Sequence, residues 1–463
     1  MRAPVQRRGL QFSEHRALLT LGDLSVGVLA VTAALWLWTI TAGVRFPEAL
    51  AARAGWFAAA VVWSLGLHPA RHPRRALSIP ATIRTVLQLA AFLLVAYLGI
   101  YFYAPRDSMP RLLALYFLWE AVLLTSAWRI GYAWLFTHGP WRRRVLVAGA
   151  GPAGQAIAEA LDADPASGLM VVGFVAAGSH DSRPGVLPIV GGYERLPDAA
   201  LERGVGQVIL ADPLDAGEQV ERLLACEEAG VNVVPMAVVY EQVFGRVPVA
   251  HVEPAWLFTS YAEAVSVIDA SRFSKRLLDL VGAVAGALAL AVVSPVVAAA
   301  IWLDSGRPIF YRQVRSGRGG RPFLLTKFRT MVPDAESDGV PRWSQQSDPR
   351  VTRVGRWLRS TRLDELPNVL SVLRGDMSLV GPRPERPEIV AELERRIPLY
   401  RARLIAPPGL TGWAQINHPY GDSVEDAFAK LEYDLYYLKY RSLLFDAWVL
   451  LSTVRTVFTM RGR

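Results

Sequence analysis

The chain has 463 residues, is 52% hydrophobic and has a mean hydropathy of +0.25. That apolarity excludes an ordinary soluble enzyme and implies membrane segments. Its single cysteine, Cys226, excludes an internal disulfide and a thiolate metal cluster. The formal charge of +9 is carried almost wholly by arginine. It suits anionic lipid headgroups and acidic substrates; with no finger spacing or aromatic-basic repeat, nucleic acid is not an expected partner.

The first sixteen residues are basic (Arg2, Arg7, Arg8, Arg16) and lack the apolar core and cleavage site of a signal peptide. Four apolar segments follow, residues 18–44, 55–67, 86–104 and 112–136. They are read as four spans, each approaching the ~20 residues that cross a bilayer. Glu120 and Arg129 in the last should face the bundle interior or pair. Arginines crowd the N-terminus, the loop 68–84 and residues 142–144, whereas the alternate loops are short and less basic. The positive-inside rule then places the N-terminus, and everything after about residue 140, in the cytoplasm.

From Arg144 the period changes. Val145–Ala148 reads as a buried strand, followed by the turn Gly149-Ala-Gly151-Pro-Ala-Gly154 and a helix. This is the glycine turn of a nucleotide-binding β-α-β unit, and the alternation that follows predicts a doubly wound parallel sheet. A carboxylate should end the second strand to hold a ribose; Ala176-Ala177 stand there instead. A structural or regulatory domain is expected rather than a dehydrogenase. Cys226 lies in a helical pattern and reads as a core thiol.

Residues 277–303 form a further apolar segment with Ser294-Pro295 inside and arginines on both flanks. Both flanks favour the cytoplasmic side, which one straight crossing cannot satisfy. A helix broken at Ser294 and Pro295 can enter and leave by one face, so a re-entrant hairpin over about residues 275–304 is expected, with a kinked span as the alternative.

Beyond it lies the stretch from Arg359 to Pro384, with Asp364 and Glu365, then an apolar-periodic run, then Gly375, then Pro382-Arg383-Pro384. Leu366, Val369, Leu370 and Leu373 share one helix face, which puts both carboxylates at a helix N-terminus. Helix capping and phosphate chemistry both fit this local pattern.

The order and spacing of several short motifs now carry a resemblance. They are Lys275-Arg276 with Asp279, Ser294-Pro295, Gln313-x-Arg315-x-Gly317, Lys327-Phe-Arg329-Thr-Met331, Leu363-Asp-Glu-Leu-Pro367, Gly375 to Pro384, and Pro408-Gly-Leu-Thr-Gly-Trp-Ala-Gln415. Residues from about 275 to the end resemble the catalytic domain of bacterial polyprenyl-phosphate sugar-1-phosphate transferases, the monotopic phosphoglycosyl transferases. The spans and Rossmann-like domain resemble the large members, which start exopolysaccharide or O-antigen synthesis. Asn368 and Ser371 depart from the Gln and Asn expected at those positions.

The resemblance implies a membrane α-helical bundle (1–140), an α/β Rossmann-like domain (141–268) and an α-rich α+β catalytic domain (270–463) with a re-entrant helix hairpin. It implies Asp364 as nucleophile, Glu365 beside it at a Mg2+ ion that both carboxylates ligate, and Lys327, Arg359 and Arg383 as substrate-binding cations. The reaction would take a UDP-sugar and undecaprenyl phosphate at the bacterial inner membrane, through an aspartyl phosphosugar, and a homodimer is compatible with it. Arg329 and Asp376 read equally as structural. Two other classes remain in view. A nucleotide-sugar dehydratase or epimerase would need Tyr-x-x-x-Lys, yet no lysine has a tyrosine four residues before it. A non-catalytic scaffold would not need Asp364, Glu365 and Arg383.

Overall fold

A computed structural model describes residues 12–71, 73–103, 110–138, 142–176, 187–212, 218–252, 254–333, 335, 348–418, 421 and 423–458. The basic residues Arg2, Arg7 and Arg8 and the loop 104–109 lie outside them. The chain forms two compact units, Met1–Phe244 and Gly245–Arg463.

In the first unit, Glu14–Ala42, Ile79–Tyr101 and Arg111–Thr137 are each long and apolar enough to cross a membrane. The second expected span differs. It is a pair of shorter helical pieces, Phe46–Ala52 and Ala54–Gly66, bent by 68°. Arg53 and Gly55 flank the bend, where glycine weakens helical continuity. The helices pack around Trp63, Leu35, Leu113 and Phe117, and Trp63 Nε1 donates to Thr125 Oγ1 at 2.9 Å.

Arg129 faces the interior, as its place in a span requires, but its partner is Asp23 and not Glu120. Asp23 is fully buried and receives Arg129 Nη2 at 2.7 Å and Nε at 2.9 Å, and Arg71 Nε at 3.0 Å. Further guanidinium donors reach main-chain carbonyls: Arg129 Nη1 to Ala70 at 2.9 Å and Arg71 Nη2 to Ser64 at 2.6 Å. Charges buried this deeply persist only when paired and hydrogen-bonded throughout.

The rest of the unit is a five-stranded, all-parallel sheet, with β1 (Arg143–Ala148), β2 (Leu169–Val175), β3 (Ile189–Gly191), β4 (Gln207–Leu210) and β5 (Asn232–Pro235). The spatial order β3-β2-β1-β4-β5 is the doubly wound arrangement expected from the alternation. Gly149 has φ +113°, and a Cβ on Gly154 would strike the Gly149 carbonyl, so the turn into helix Pro152–Asp162 needs both glycines. Cys226 is a buried core thiol, its pKa pushed up to about 11 by burial.

The second unit begins with the 52-residue helix Pro254–Ser305. Ser294 and Pro295 lie inside it, with helix on both sides, so the separate helices expected on either side of a break are not formed there. The proline removes one backbone bond while apolar neighbours keep the ladder going on both sides. Leu277, Val281, Val284, Leu288, Val292 and Val296 are exposed along it. Its other faces pack on the rest of the unit. Gly282 lies against Leu379 and Gly286 against Val369. Val297 and Ile301 pack with Phe328 and Leu358.

The globular part contains the hairpin β6 (Phe310–Ser316) and β7 (Pro322–Phe328), the short parallel pair β8 (Ser378–Val380) and β9 (Gly409–Thr411), and surrounding helices. A Cβ on Gly409 would strike the Gly381 backbone, so the two chains cross with nothing between them. Trp413 anchors the far side, donating Nε1 to the Gly245 carbonyl at 2.7 Å.

Removing Asp23 would leave two buried guanidinium groups without their counter-charge. Asp23→Ala is expected to destabilise the first unit by about 3–5 kcal/mol. Thermal unfolding in detergent checks this, and an unchanged Tm would show that the cluster contributes nothing to stability.

Candidate active site

Three segments converge in the second unit. The first is β7, which carries Lys327. The second is the helix Arg353–Ser360 and the turn after it, capped by Thr352, whose hydroxyl receives Gly355 N–H at 3.0 Å. A Cβ on Gly355 would strike the Thr330 carbonyl, so this helix lies directly on the end of β7. The third is the Pro382-Arg383-Pro384 segment leaving β8.

Asp364 and Glu365 do not sit at an α-helix N-terminus as the periodicity suggested. They occupy a 3-10 turn, Leu363–Asn368, and the α-helix after it, Val369–Arg374, has only six residues. Pro367 inside the turn lacks the N–H that would start an α-ladder earlier. Gly375 ends the helix at φ +92°, as expected.

The two carboxylates have different surroundings. Glu365 Oε1 accepts from Lys327 Nζ and from Arg383 Nη2, the latter at 2.8 Å. Burial alone would raise its pKa; Arg383 and Lys327 outweigh that and hold it well below the usual carboxylate range. Asp364 is 9% exposed and has no hydrogen bond or ion pair among the described residues. Burial, then repulsion from Glu365, pushes its pKa up to about 6 against the pull of Lys327, Arg359 and Arg383.

The five expected site residues therefore meet, with separate geometries. Lys327 and Arg383 share Glu365. Arg359, in the last turn of the helix Arg353–Ser360, donates Nε to Thr330 Oγ1 at 2.9 Å. A recess of about 290 Å³ opens beside Glu365, bounded by Arg315, Lys327, Asn368, Arg383 and Pro384. Asn368 Oδ1 accepts from Thr326 N at 3.1 Å, tying the turn to β7. Arg329 is structural: Nη2 bonds the Ser305 and Gly306 carbonyls at 2.8 and 2.7 Å and closes the long helix. Asp376 pairs with Arg374 at the surface.

Sequence reasoning passed over Arg403. It is buried, donates Nε to Asp434 Oδ2 at 3.0 Å and Nη1 to the Tyr400 hydroxyl at 2.6 Å, and gives Nη2 to the Arg383 carbonyl at 3.0 Å. Arg315 holds the next carbonyl, Pro384, at 3.2 Å. The carbonyls of Arg383 and of the residue after it are thus both held by guanidinium groups. Only the proline bracket of Arg383 hinted at this rigidity in the sequence.

For a Mg2+ ion, the described residues offer the oxygen donors of Asp364 and Glu365 and contain no group of three His, Cys, Asp or Glu side chains. Two carboxylates suit a metal that takes its other ligands from water and substrate phosphates.

Residues 270–460 match the bacterial sugar transferase family model, and residues 74–237 match a CoA-binding domain model. In the latter region the Asp212 carboxylate lies directly against Gly149. A diphosphate at the glycine turn would meet that charge, so these residues do not fit a bound CoA or dinucleotide.

The UDP-glucose:undecaprenyl-phosphate glucose-1-phosphate transferase of Escherichia coli is 36% identical over 343 residues, covering 72% of this chain and 71% of the relative. The UDP-N-acetylgalactosamine-undecaprenyl-phosphate N-acetylgalactosaminephosphotransferase of Aeromonas hydrophila is 38% identical over 55% of this chain, which spans 59% of that relative's length. The undecaprenyl-phosphate galactose phosphotransferase of Salmonella typhimurium is 29% identical over 70% of each. A carboxylate pair among converging cations, in a region that matches throughout, places the chain in the bacterial polyprenyl-phosphate sugar-1-phosphate transferase family.

Proposed function

We propose that the protein transfers a sugar-1-phosphate from a UDP-sugar to undecaprenyl phosphate through a covalent intermediate on Asp364. The observation that carries this reading is the asymmetry of the carboxylate pair: Glu365 is held by two cations, while Asp364 has no hydrogen bond or ion pair among the described residues. An unpartnered carboxylate beside phosphate-binding cations is a competent nucleophile.

A carboxylate oxygen of Asp364 attacks the phosphorus that bears the sugar. The bond from that phosphorus to the bridging oxygen breaks, and UMP leaves with the electron pair. An oxygen of undecaprenyl phosphate then attacks the same phosphorus, the bond to Asp364 breaks, and the carboxylate is restored. Lys327, Arg359 and Arg383 bind the phosphate oxygens, with arginine giving two parallel donors. Mg2+, held by Asp364 and Glu365, would neutralise charge on the diphosphate.

The membrane arrangement belongs to the same proposal. The helix Phe273–Ser305 is apolar enough to span. Yet Asp279 near its start receives Leu379 N–H at 2.9 Å, and Ser305 at its end receives Arg329 at 2.8 Å. Both ends are bonded to one polar folded unit, which supports entry and exit by a single face with Ser294-Pro295 as the bending point. The three long apolar helices of the first unit and the bent pair then make four spans, with the site on the cytoplasmic face of the inner membrane. Domain limits of 1–140, 141–268 and 270–463 belong to this proposal, although the boundary near 269 falls inside the helix Pro254–Ser305 and the second compact unit begins at Gly245.

Purified protein with Mg2+, undecaprenyl phosphate and a panel of UDP-sugars is expected to release UMP with at least one sugar; no release with any would contradict the reading. Asp364→Asn should lower that release by at least roughly a thousandfold. Because Arg403 holds the Arg383 carbonyl, Arg403→Lys is expected to lower kcat roughly tenfold to a hundredfold with the fold retained. An unchanged kcat would show that Arg403 serves stability alone.

A further inference from the structure

The cations around Asp364 can be sorted by what they already hold. Lys327 and Arg383 are engaged by Glu365, Arg359 by Thr330, and Arg315 by Glu385 and the Pro384 carbonyl. Arg362, two residues before Asp364, has no hydrogen bond or ion pair from its side chain among the described residues. It is half-buried, and its Nε is shut off from solvent without an acceptor.

Its backbone is also unusual. Arg362 has φ +55° and ψ +16°, a left-handed conformation that glycine adopts freely and arginine does not. The turn is closed on both sides, with Arg362 N–H bonded to the Arg359 carbonyl at 3.1 Å and Glu365 N–H to the Arg362 carbonyl at 3.2 Å. A half-buried side chain kept where glycine would relieve strain, with its Nε shut off from solvent and unbonded, marks a group whose partner arrives from outside.

The neighbours indicate which side it arrives from. Leu363 packs on Val297, Ile301, Phe328 and Leu358, with Leu290 and Val293 alongside, so the turn rests on the apolar helix. Lys327, Glu365 and Arg383 instead bound the open recess. Arg362 directly precedes Leu363, so its backbone belongs to the end of the turn that is seated on the membrane helix, and its charge acts on Glu365.

We infer that Arg362 binds the phosphate of the lipid acceptor as it approaches Asp364 from the membrane side. This rests on the transferase reading above. Phosphate oxygens reach the site from two substrates, the acceptor monophosphate and the donor diphosphate, and the seating of the turn on the membrane helix through Leu363 favours the acceptor for Arg362.

The test uses the full-length protein in detergent and measures KM separately for undecaprenyl phosphate and for the UDP-sugar. Arg362→Gly relieves the left-handed strain and is expected to keep or raise Tm. It should raise KM for undecaprenyl phosphate by roughly tenfold to a hundredfold, the loss of one charged hydrogen bond, and by more than any change in KM for the UDP-sugar. Arg362→Lys should restore part of the acceptor affinity. Unchanged KM for undecaprenyl phosphate, or a rise confined to the UDP-sugar, would overturn the assignment. Should Arg362→Gly lower Tm, Arg362→Gln at wild-type Tm carries the same readout with the same two outcomes. Wild-type protein that releases no UMP would instead remove the transferase reading itself.

Discussion

The site depends on one shared oxygen. Glu365 Oε1 receives both Lys327 and Arg383, one from the β7 strand and one from the segment after β8. Each cation alone would be free to swing; held on the same acceptor, they fix two loops to one turn. The same bonds keep Glu365 ionised, and its charge adds to burial in raising the pKa of Asp364. Adjacent carboxylates thus acquire different roles through their surroundings: Glu365 organises the cations and Asp364 stays available.

That arrangement is supported from outside the recess. Arg403, locked by Asp434 and Tyr400, holds the Arg383 carbonyl, while the crossing of Gly381 with Gly409 allows no side chain between the two chains. On the other side, the Asn368 amide ties the 3-10 turn to β7, and Leu363 seats it on the apolar helix. The cost of burying Lys327, Glu365, Arg383, Arg403 and Asp434 is offset because each has a donor or acceptor, as buried polar networks require; Asp364 and Arg362 are the exceptions.

Much of the site was legible in sequence because its chemistry is local. Asp364, Glu365 and Arg383 lie within one stretch, and Gly375 and Pro367 announce its turns. Lys327 and Arg359 could be named only by resemblance, since nothing local brings β7 to the turn. Arg403 was missed because it acts through a main-chain carbonyl twenty residues away, which leaves no pattern. Arg362 was in plain view, but its left-handed backbone is invisible to periodicity. The helix register misled once: Leu366 to Leu373 has helical spacing, yet Pro367 makes its first turn 3-10. The parallel sheet was read correctly because strand and helix periods alternate cleanly, while the Asp212 carboxylate against Gly149 came from a distant strand end.

The account's central claim is that Asp364 carries the sugar phosphate. Protein incubated with UDP-sugar and no lipid acceptor, acid-quenched and digested, can be mapped by mass spectrometry. The account predicts one hexose-phosphate or acetamido-hexose-phosphate adduct, on the peptide containing Asp364, which disappears when undecaprenyl phosphate is added before quenching. An adduct on any other residue, or UMP release with no adduct on the protein, would contradict it.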